Sequence, residues 1–219
     1  ITTTSDGAYD VHVGDIDNDG DLDIVAASEV DNRIAWYENN GAADPSWTFI
    51  SIATSAQSAR DVHVADMDGD GDLDIVSASS GDNTIAWYEN NGADNPSFTA
   101  ADIVTNASSA QDVHVADIDG DGDLDIVSAS YGDDTIAWYT NNGASDPSWT
   151  ESGSHNIATN KDGAWDVNIA DIDNDGDLDI VSASSTDNTI AWYENDGAST
   201  PNFSAQTIST NADGATTVE

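Results

Sequence analysis

The sequence predicts an all-β fold built from four copies of one four-stranded antiparallel unit, the arrangement of a blade in a β-propeller. Three observations support this prediction. An aspartate-rich stretch of nine residues occurs four times, its copies start 51, 51 and 54 residues apart, and helical periodicity is absent. Four short strands in a repeat of about 50 residues are typical of propeller blades.

The whole chain, 1–219, is assigned to one repeat domain. The predicted repeats are approximately 1–52, 53–103, 104–157 and 158–208, followed by the start of a further repeat at 209–219. The two ends stand at nearly the same phase of the repeat. This leaves three arrangements open: a four-bladed ring closed by its own ends, a part of a larger ring, or a continuing repeat array.

The second repeat illustrates the predicted strands, which cover 61–65, 73–79, 84–89 and 98–104. Because side chains alternate across a strand, Ile85 and Trp87 should face one way, and Ala86 and Tyr88 the other. We expect the tryptophan to pack in the core between neighbouring sheets and the tyrosine to be partly exposed. The competing interpretation is that these aromatic rings stack on sugars.

The nine-residue stretch places five aspartates at alternate positions, as in Asp-Met-Asp-Gly-Asp-Gly-Asp-Leu-Asp at 66–74. Carboxylates packed this closely repel one another unless a cation lies between them. Calcium accepts six to eight oxygen ligands in irregular geometry, whereas magnesium demands a tighter octahedron. A glycine at the sixth position allows a sharp turn. The stretch is not an EF-hand, because its twelfth position is alanine or serine and no helix flanks it.

The pattern Asp-x-Asp-x-Asp-Gly-x-x-Asp, entering a strand such as Leu73-Asp74-Ile75-Val76, resembles the calcium loops of FG-GAP and VCBS repeats. Those repeats form the blades of integrin α-subunit-like β-propellers, and the resemblance covers all four repeats. It implies about four calcium ions, one per repeat, bound by carboxylates at positions 1, 3, 5 and 9 and by the backbone carbonyl at position 7. The implied ligands are Asp15, Asp17, Asp19, Asp21 and Asp23; Asp66, Asp68, Asp70, Asp72 and Asp74; Asp117, Asp119, Asp121, Asp123 and Asp125; and Asp171, Asp173, Asp175, Asp177 and Asp179.

Composition excludes several classes of function. The formal charge is −40, from 43 acidic and three basic residues. Such a chain should not bind nucleic acid, whose phosphates are held by lysine and arginine, and anionic membrane surfaces should repel it. No apolar run is long enough to insert into a membrane, and there is no cysteine. No catalytic motif is found, and four similar metal loops without a distinct partner indicate a structural role, so we expect no enzyme activity.

A second recurrent feature is a histidine on the first strand, at His12, His63 and His114, with Asn168 in the fourth copy. These side chains should line a central channel. One hypothesis is an imidazole cluster that holds a transition metal or a ligand; the other is a set of inward-facing hydrogen-bonded residues, which Asn168 favours. Three residues that depart from the repeat are expected to be exposed: Arg33, Tyr131 and Trp165.

The function that the sequence favours is a non-catalytic, calcium-stabilised structural or adhesive module, such as a unit of a filament or of a large surface protein. Its location would be extracellular or at the cell surface, where millimolar calcium fills such sites. The expected partners are other copies of the chain or neighbouring repeats, together with glycans or surface proteins. Two alternatives stay open: a lectin-like carbohydrate-binding propeller, and an accessory propeller of a secreted hydrolase or lyase.

Overall fold

The computed structural model describes residues 5–149 and 156–219 and has strands but no helix in these ranges. Across them, no helix is long and apolar enough to cross a membrane. Residues 1–4 and 150–155, which belong to the first and third predicted repeats, lie outside the described ranges. The strands are β1 Ala8–Gly14, β2 Asp23–Ser28, β3 Arg33–Asn39, β4 Trp47–Ala53, β5 Ala59–Ala65, β6 Asp74–Ser79, β7 Thr84–Asn90, β8 Phe98–Val104, β9 Ala110–Ala116, β10 Asp125–Ser130, β11 Thr135–Tyr139, β12 Asn156–Ala158, β13 Ala164–Ala170, β14 Asp179–Ser184, β15 Thr189–Asn195 and β16 Phe203–Ser209.

Each set of four consecutive strands forms one antiparallel sheet in which every strand pairs with the next along the chain. These sheets are the four blades, numbered 1 to 4 in chain order. The predicted fold class and the four four-stranded units are therefore confirmed. In blade 3 the last strand, β12, has three residues and follows directly on the segment 150–155.

The hydrophobic core lies between consecutive blades. We call the side of a blade that faces the next blade its trailing face, and the side that faces the preceding blade its leading face. Ile34 and Trp36 of blade 1 pack with Ala86 and Tyr88 of blade 2. In blade 2, Ile85 and Trp87 instead pack toward blade 3, so the predicted alternation along this strand is confirmed.

One prediction about the aromatic pair is wrong. Tyr37, Tyr88, Tyr139 and Tyr193 are all buried, although we expected partial exposure. The prediction assumed that one face of each sheet meets water. Internal blades are covered on both faces, so adjacent residues on one strand can both be core residues. In blade 1, which has no preceding blade, Tyr37 is covered within its own sheet, where its ring lies 5.6 Å from that of Phe49. The prediction of a buried tryptophan holds for Trp36, Trp87 and Trp138, whereas Trp192 of blade 4 is half-buried.

The first strands β1, β5, β9 and β13 stand side by side around a common axis. Blades 1 and 4 do not close this arrangement into a ring. Val11 and Val13 on β1 are 59% and 50% exposed, whereas Val62, the counterpart of Val11 on β5, is 3% exposed. Of the three arrangements that the sequence left open, a four-bladed ring closed by its own ends is therefore wrong for the described structure.

Candidate metal centres

The aspartate loops connect the first and second strands of each blade, so all four stand at the same end of their blades. In each loop, one carboxylate oxygen from each of positions 1, 3 and 5 lies within 4.8 Å of the other two. The structure thus brings together three of the predicted ligands in every copy. The four groups are Asp15, Asp17 and Asp19; Asp66, Asp68 and Asp70; Asp117, Asp119 and Asp121; and Asp171, Asp173 and Asp175.

Backbone N–H groups of the loop hold these carboxylates in place. In blade 2, Asp66 accepts hydrogen bonds from the amides of Gly69 at 2.9 Å and Gly71 at 3.0 Å. Asp68 accepts one from Asp70 at 3.1 Å, and Asp70 accepts one from Asp72 at 2.9 Å. Each carboxylate oxygen has more than one lone pair, so these bonds orient the side chains and leave acceptor capacity for an ion.

The sixth position of each loop needs glycine. Gly71 has φ of +98°, and the other three copies lie between +95° and +101°. The fourth position also has positive φ but holds Gly69 in blade 2 and Asn18 in blade 1. Asparagine tolerates the left-handed region near +60°, whereas φ near +100° is reached almost only by glycine. This difference gives a matched pair of substitutions.

Gly71→Ala is expected to destabilise the protein by about 1–3 kcal/mol, because a Cβ at this φ strains the backbone. No neighbouring atom lies within 4 Å of that Cβ, so the cost is conformational and not a clash. Gly69→Asn, which reproduces the residue of blade 1, should be close to neutral. Thermal melts in the presence of calcium compare the two variants. Equal melting temperatures would contradict the claim that the sixth position requires glycine and the fourth does not.

The aspartate at the seventh position turns its side chain away from the group of three. In blade 2, a Cβ built on Gly92 would lie 1.9 Å from an Asp72 carboxylate oxygen, so Asp72 packs against this glycine of the β7–β8 turn. The same approach occurs in the other copies, at Gly41, Gly143 and Gly197. The Asp72 side chain is therefore engaged elsewhere, and the proposed ligand at this position is its backbone carbonyl.

The aspartate at the ninth position is buried beneath the loop and lies outside the group of three. Asp74 accepts hydrogen bonds from the amides of Asn90 at 2.7 Å and Met67 at 3.1 Å, using one oxygen for each. Burial raises the pKa of Asp74 to about 7, against the lowering effect of these bonds and of the Trp87 indole. Asp23, Asp125 and Asp179 make the equivalent bonds, and the role of all four as ligands stays a prediction.

An asparagine that sequence reasoning missed connects the loops of blades 1, 2 and 3 to the blade that follows. Asn90 donates from its side chain to the carbonyl of Leu73 at 3.0 Å in its own blade, and to the carbonyl of Ile16 at 2.9 Å in the loop of blade 1. Asn141 and Asn195 repeat both bonds in blades 3 and 4. The available signal was the repeated Asn-Asn-Gly or Asn-Asp-Gly. The structure shows that the first asparagine of this motif begins a turn and also donates hydrogen bonds to two neighbouring blades.

The loops carry uncompensated negative charge. Burial and the nearby carboxylates of Asp70 and Asp66 raise the pKa of Asp68, and equivalent effects raise the pKa of Asp17 and Asp119. Within 5–149 and 156–219, the salt bridges join Arg33 to Asp31 and Arg60 to Glu29, away from these groups. A cluster of oxygen donors with unbalanced charge fits a hard divalent cation such as calcium or magnesium.

The histidine rings contact one another edge-on or tilted, across the neighbouring inner strands β1, β5 and β9. The ring centroids of His12 and His63 are 4.5 Å apart, and those of His63 and His114 are 5.1 Å apart. His12 Nδ1 accepts the backbone N–H of Val64 at 3.0 Å. Burial and the two neighbouring imidazoles lower the pKa of His63 to about 3, which keeps this ring neutral. The candidate metal groups of the described residues contain no histidine, so the hydrogen-bonded interpretation fits better.

The three residues that depart from the repeat differ in exposure. Tyr131 is exposed, as expected, and its ring meets the Trp165 ring edge-on at 5.7 Å. Trp165 and Arg33 are half-buried, contrary to the expectation. The Arg33 guanidinium lies over the Phe49 ring, 5.3 Å from its centroid, which accounts for the burial of this side chain.

Comparison with known proteins identifies the family of this chain and solved structures with a similar fold. The model of the FG-GAP-like repeat matches residues 15–77, 66–128, 117–182 and 171–219. A lectin of Agrocybe aegerita, described for its recognition of non-reducing terminal N-acetylglucosamine, superposes with a TM-score of 0.62 at 20% identity over 94% of this chain. BBS1N, solved in complex with ARL6DN, superposes with a TM-score of 0.55 at 14% identity over 93% of this chain. This chain spans 54% and 57% of those two structures, and no curated protein matches it.

Proposed function

Because the chain belongs to the FG-GAP-like repeat family, we propose that it is a calcium-stabilised, non-catalytic structural or adhesive repeat module that works outside the cell or at its surface. The observation that carries this proposal is the occurrence of four equivalent aspartate groups, one in each blade. Calcium suits them better than magnesium, because the loops are rich in oxygen donors and calcium accepts six to eight of them in irregular geometry, whereas magnesium demands a near-ideal octahedron. Millimolar extracellular calcium would keep such sites occupied, which supports the proposed location.

A structural role is supported by what surrounds the loops. Each group of three aspartates is held by backbone N–H groups of its own loop. The aspartate that follows the group, Asp74 in blade 2, begins the second strand and accepts the amides of Met67 in the loop and Asn90 in the third strand. The loops of blades 1, 2 and 3 accept a side-chain amide from the following blade. An ion that fixes one loop would therefore also fix the junction with the next blade. We infer that metal binding and folding are coupled.

The proposed partners are other copies of this chain or neighbouring repeats, and the support lies in the two end faces. On blade 1, Val11 and Val13 of the leading face are exposed. On blade 4, Ile172 of the trailing face is 42% exposed, whereas its counterparts in the other blades are buried. These are the two halves of a junction that the chain forms three times internally, so they are complementary in shape and chemistry.

The last residues of the chain indicate how a neighbouring repeat would sit on blade 4. Val218 donates its backbone N–H to Asp166 at 2.7 Å. Val62 makes the same bond to Asp10, at 3.3 Å, at the first junction between blades. Residues 215–219 thus follow the path of the first strand of a next blade. A second copy that docked here would displace this short segment, and we expect a variant lacking it to associate more strongly.

Val13→Asp tests the association. The unchanged protein in millimolar calcium is expected to self-associate with rising concentration, whereas the variant should remain monomeric because a charge in an apolar junction is costly. Val30→Asp is the matched control, since Val30 is 61% exposed but lies on the β2–β3 turn. Sedimentation velocity reads out the oligomeric state. A monomer at every concentration, or equal association of V13D and V30D, would overturn the proposed self-association.

A second candidate function is carbohydrate binding at the blade junctions. A cavity of about 420 Å³ between blades 1 and 2 is lined by Tyr88 and Asp82, and a cavity of about 90 Å³ between blades 2 and 3 is lined by the equivalent Tyr139 and Asp133. A tyrosine hydroxyl beside a carboxylate suits the hydroxyl groups of a sugar. The structurally similar lectin makes this candidate worth testing. A glycan array probed in calcium should give binding to some glycans for the unchanged protein and lose that binding for Asp82→Ala. An array without binding would rule out this candidate function.

A further inference from the structure

A cavity of about 330 Å³ lies on the axis, at the end of the first strands that is opposite to the aspartate loops. Asp10, Asp61, Asp112 and Asp166 reach it from the four blades. Each of them accepts a backbone N–H from the next first strand or, for Asp166, from the terminal segment, at 2.7 to 3.3 Å. These bonds fix four carboxylates around one space, well away from the candidate metal centres.

The carboxylates of this cavity have little compensating charge. Asp10 and Asp112 are the charged neighbours that act on Asp61. Burial and these neighbours raise the pKa of Asp61 well above its usual value, and burial raises the pKa of Asp166 to about 6. Arg60 is the cation at the cavity, but its guanidinium is engaged by Glu29 at 2.7 Å and lies over the Tyr9 ring at 4.5 Å.

An independent observation at the same cavity is a buried acceptor without a donor. Gln111 lines the cavity and is only 7% exposed. Its Nε2 donates to the carbonyl of Ser109 at 2.9 Å, which fixes the orientation of the amide. Its Oε1 is buried and has no hydrogen-bond partner. A buried carbonyl oxygen in this state is costly unless a donor from outside the chain reaches it.

The residue immediately before each of these aspartates differs in every blade: Tyr9, Arg60, Gln111 and Trp165. The residues that follow are nearly the same in all four copies. The position at which the four repeats differ therefore lines this cavity. It places the rings of Tyr9 and Trp165 beside the carboxylates. Aromatic faces attract cations, and the effect adds to that of the negative charge.

We propose that this axial cavity binds a small organic cation with N–H donors, an ammonium or guanidinium group. The donors would serve Gln111 Oε1 and the aspartate carboxylates, and the rings of Tyr9 and Trp165 would flank the charge. A bare metal ion fits less well. Within the described ranges, three carboxylate oxygens come within 4.8 Å of one another only in the four loops, so the axial carboxylates are spaced for a larger group.

Calorimetric titration of the calcium-loaded protein with n-butylguanidinium and n-butylammonium tests the proposal. Saturable binding is expected for both probes, whereas n-butyltrimethylammonium, which has no N–H donor, and neutral n-butanol should bind at least tenfold more weakly. Gln111→Leu and Asp61→Asn should each weaken binding of n-butylguanidinium about tenfold or more. In the second variant the amide oxygen still accepts the Val113 N–H, so the fold is kept.

Two further variants separate this site from general electrostatics. Asp94→Asn, at an exposed turn, removes one charge outside the cavity and should leave affinity unchanged. Arg60→Gln removes the competing cation and should strengthen binding several-fold, a gain that a purely structural role of Arg60 would not produce. The proposal is overturned if neither N–H probe saturates, if the donor-free controls bind equally well, or if Gln111→Leu binds as tightly as the unchanged protein.

Discussion

Excess EDTA is expected to lower the melting temperature of this protein by tens of degrees or to unfold it at room temperature. Each loop holds three carboxylates within 4.8 Å of one another, and in blade 2 burial and the neighbouring carboxylates raise the pKa of the middle one, Asp68. One site at a hundredfold excess of ligand over Kd stabilises the folded state by about 2.7 kcal/mol. Four such sites contribute on the order of 10 kcal/mol, as much as the whole stability of a typical domain.

The formal charge of −40 makes a salt control necessary, because any cation screens self-repulsion. EDTA saturated with calcium, and EDTA in the presence of 0.5 M sodium chloride, separate specific binding from screening. Differential scanning calorimetry should show recovery only when calcium is restored. A melt that is unchanged in EDTA would rule out calcium as the element that stabilises the blades.

Trp87→Ala is expected to destabilise the protein by about 3–5 kcal/mol, the usual cost of removing a large aromatic side chain from a core. Trp87 is 2% exposed at the junction of blades 2 and 3, and its ring meets the Trp149 ring at 6.2 Å. Trp192 is the same residue of the repeat on the half-buried trailing face of blade 4. Trp192→Ala should cost about 1–2 kcal/mol, because less apolar surface is buried there.

Urea unfolding in millimolar calcium measures both variants on one scale. The difference between the two losses of unfolding free energy measures how far the trailing face of blade 4 is exposed to solvent, because the two tryptophans occupy the same position in their sheets. Equal costs for the two substitutions would mean that the trailing face of blade 4 is covered in solution as fully as the internal junctions. A small cost for both would mean that the tryptophans contribute little to the junctions.

Local and repeated features could be predicted from the sequence. Alternation along β7 assigned Trp87 and Tyr88 to opposite faces, because that depends only on the geometry of a strand. The nine-residue spacing assigned the loops, since carboxylates at alternate positions of a tight turn converge. The tyrosine prediction failed because burial on the second face is decided by the neighbouring blade or, for Tyr37, by Phe49 on the adjacent strand, and strand periodicity reveals neither contact.

Contacts between distant residues could not be predicted. The bond from Asn90 to Ile16 joins residues 74 positions apart and depends on how one blade sits on another. The axial cavity is assembled from two adjacent residues of each blade, including the differing Tyr9, Gln111 and Trp165. Each of these departures from the repeat was an isolated substitution in the sequence. Only the convergence of the first strands makes them neighbours.

Counting bound calcium ions by native mass spectrometry tests the central claim most directly. The unchanged protein should retain four ions per chain, and a variant carrying Asp68→Asn and Asp70→Asn, confined to the loop of blade 2, should retain three. Magnesium at equal concentration should not replace them. A chain that binds no calcium, or a variant that still binds four ions, would contradict the assignment of one structural calcium site to each blade.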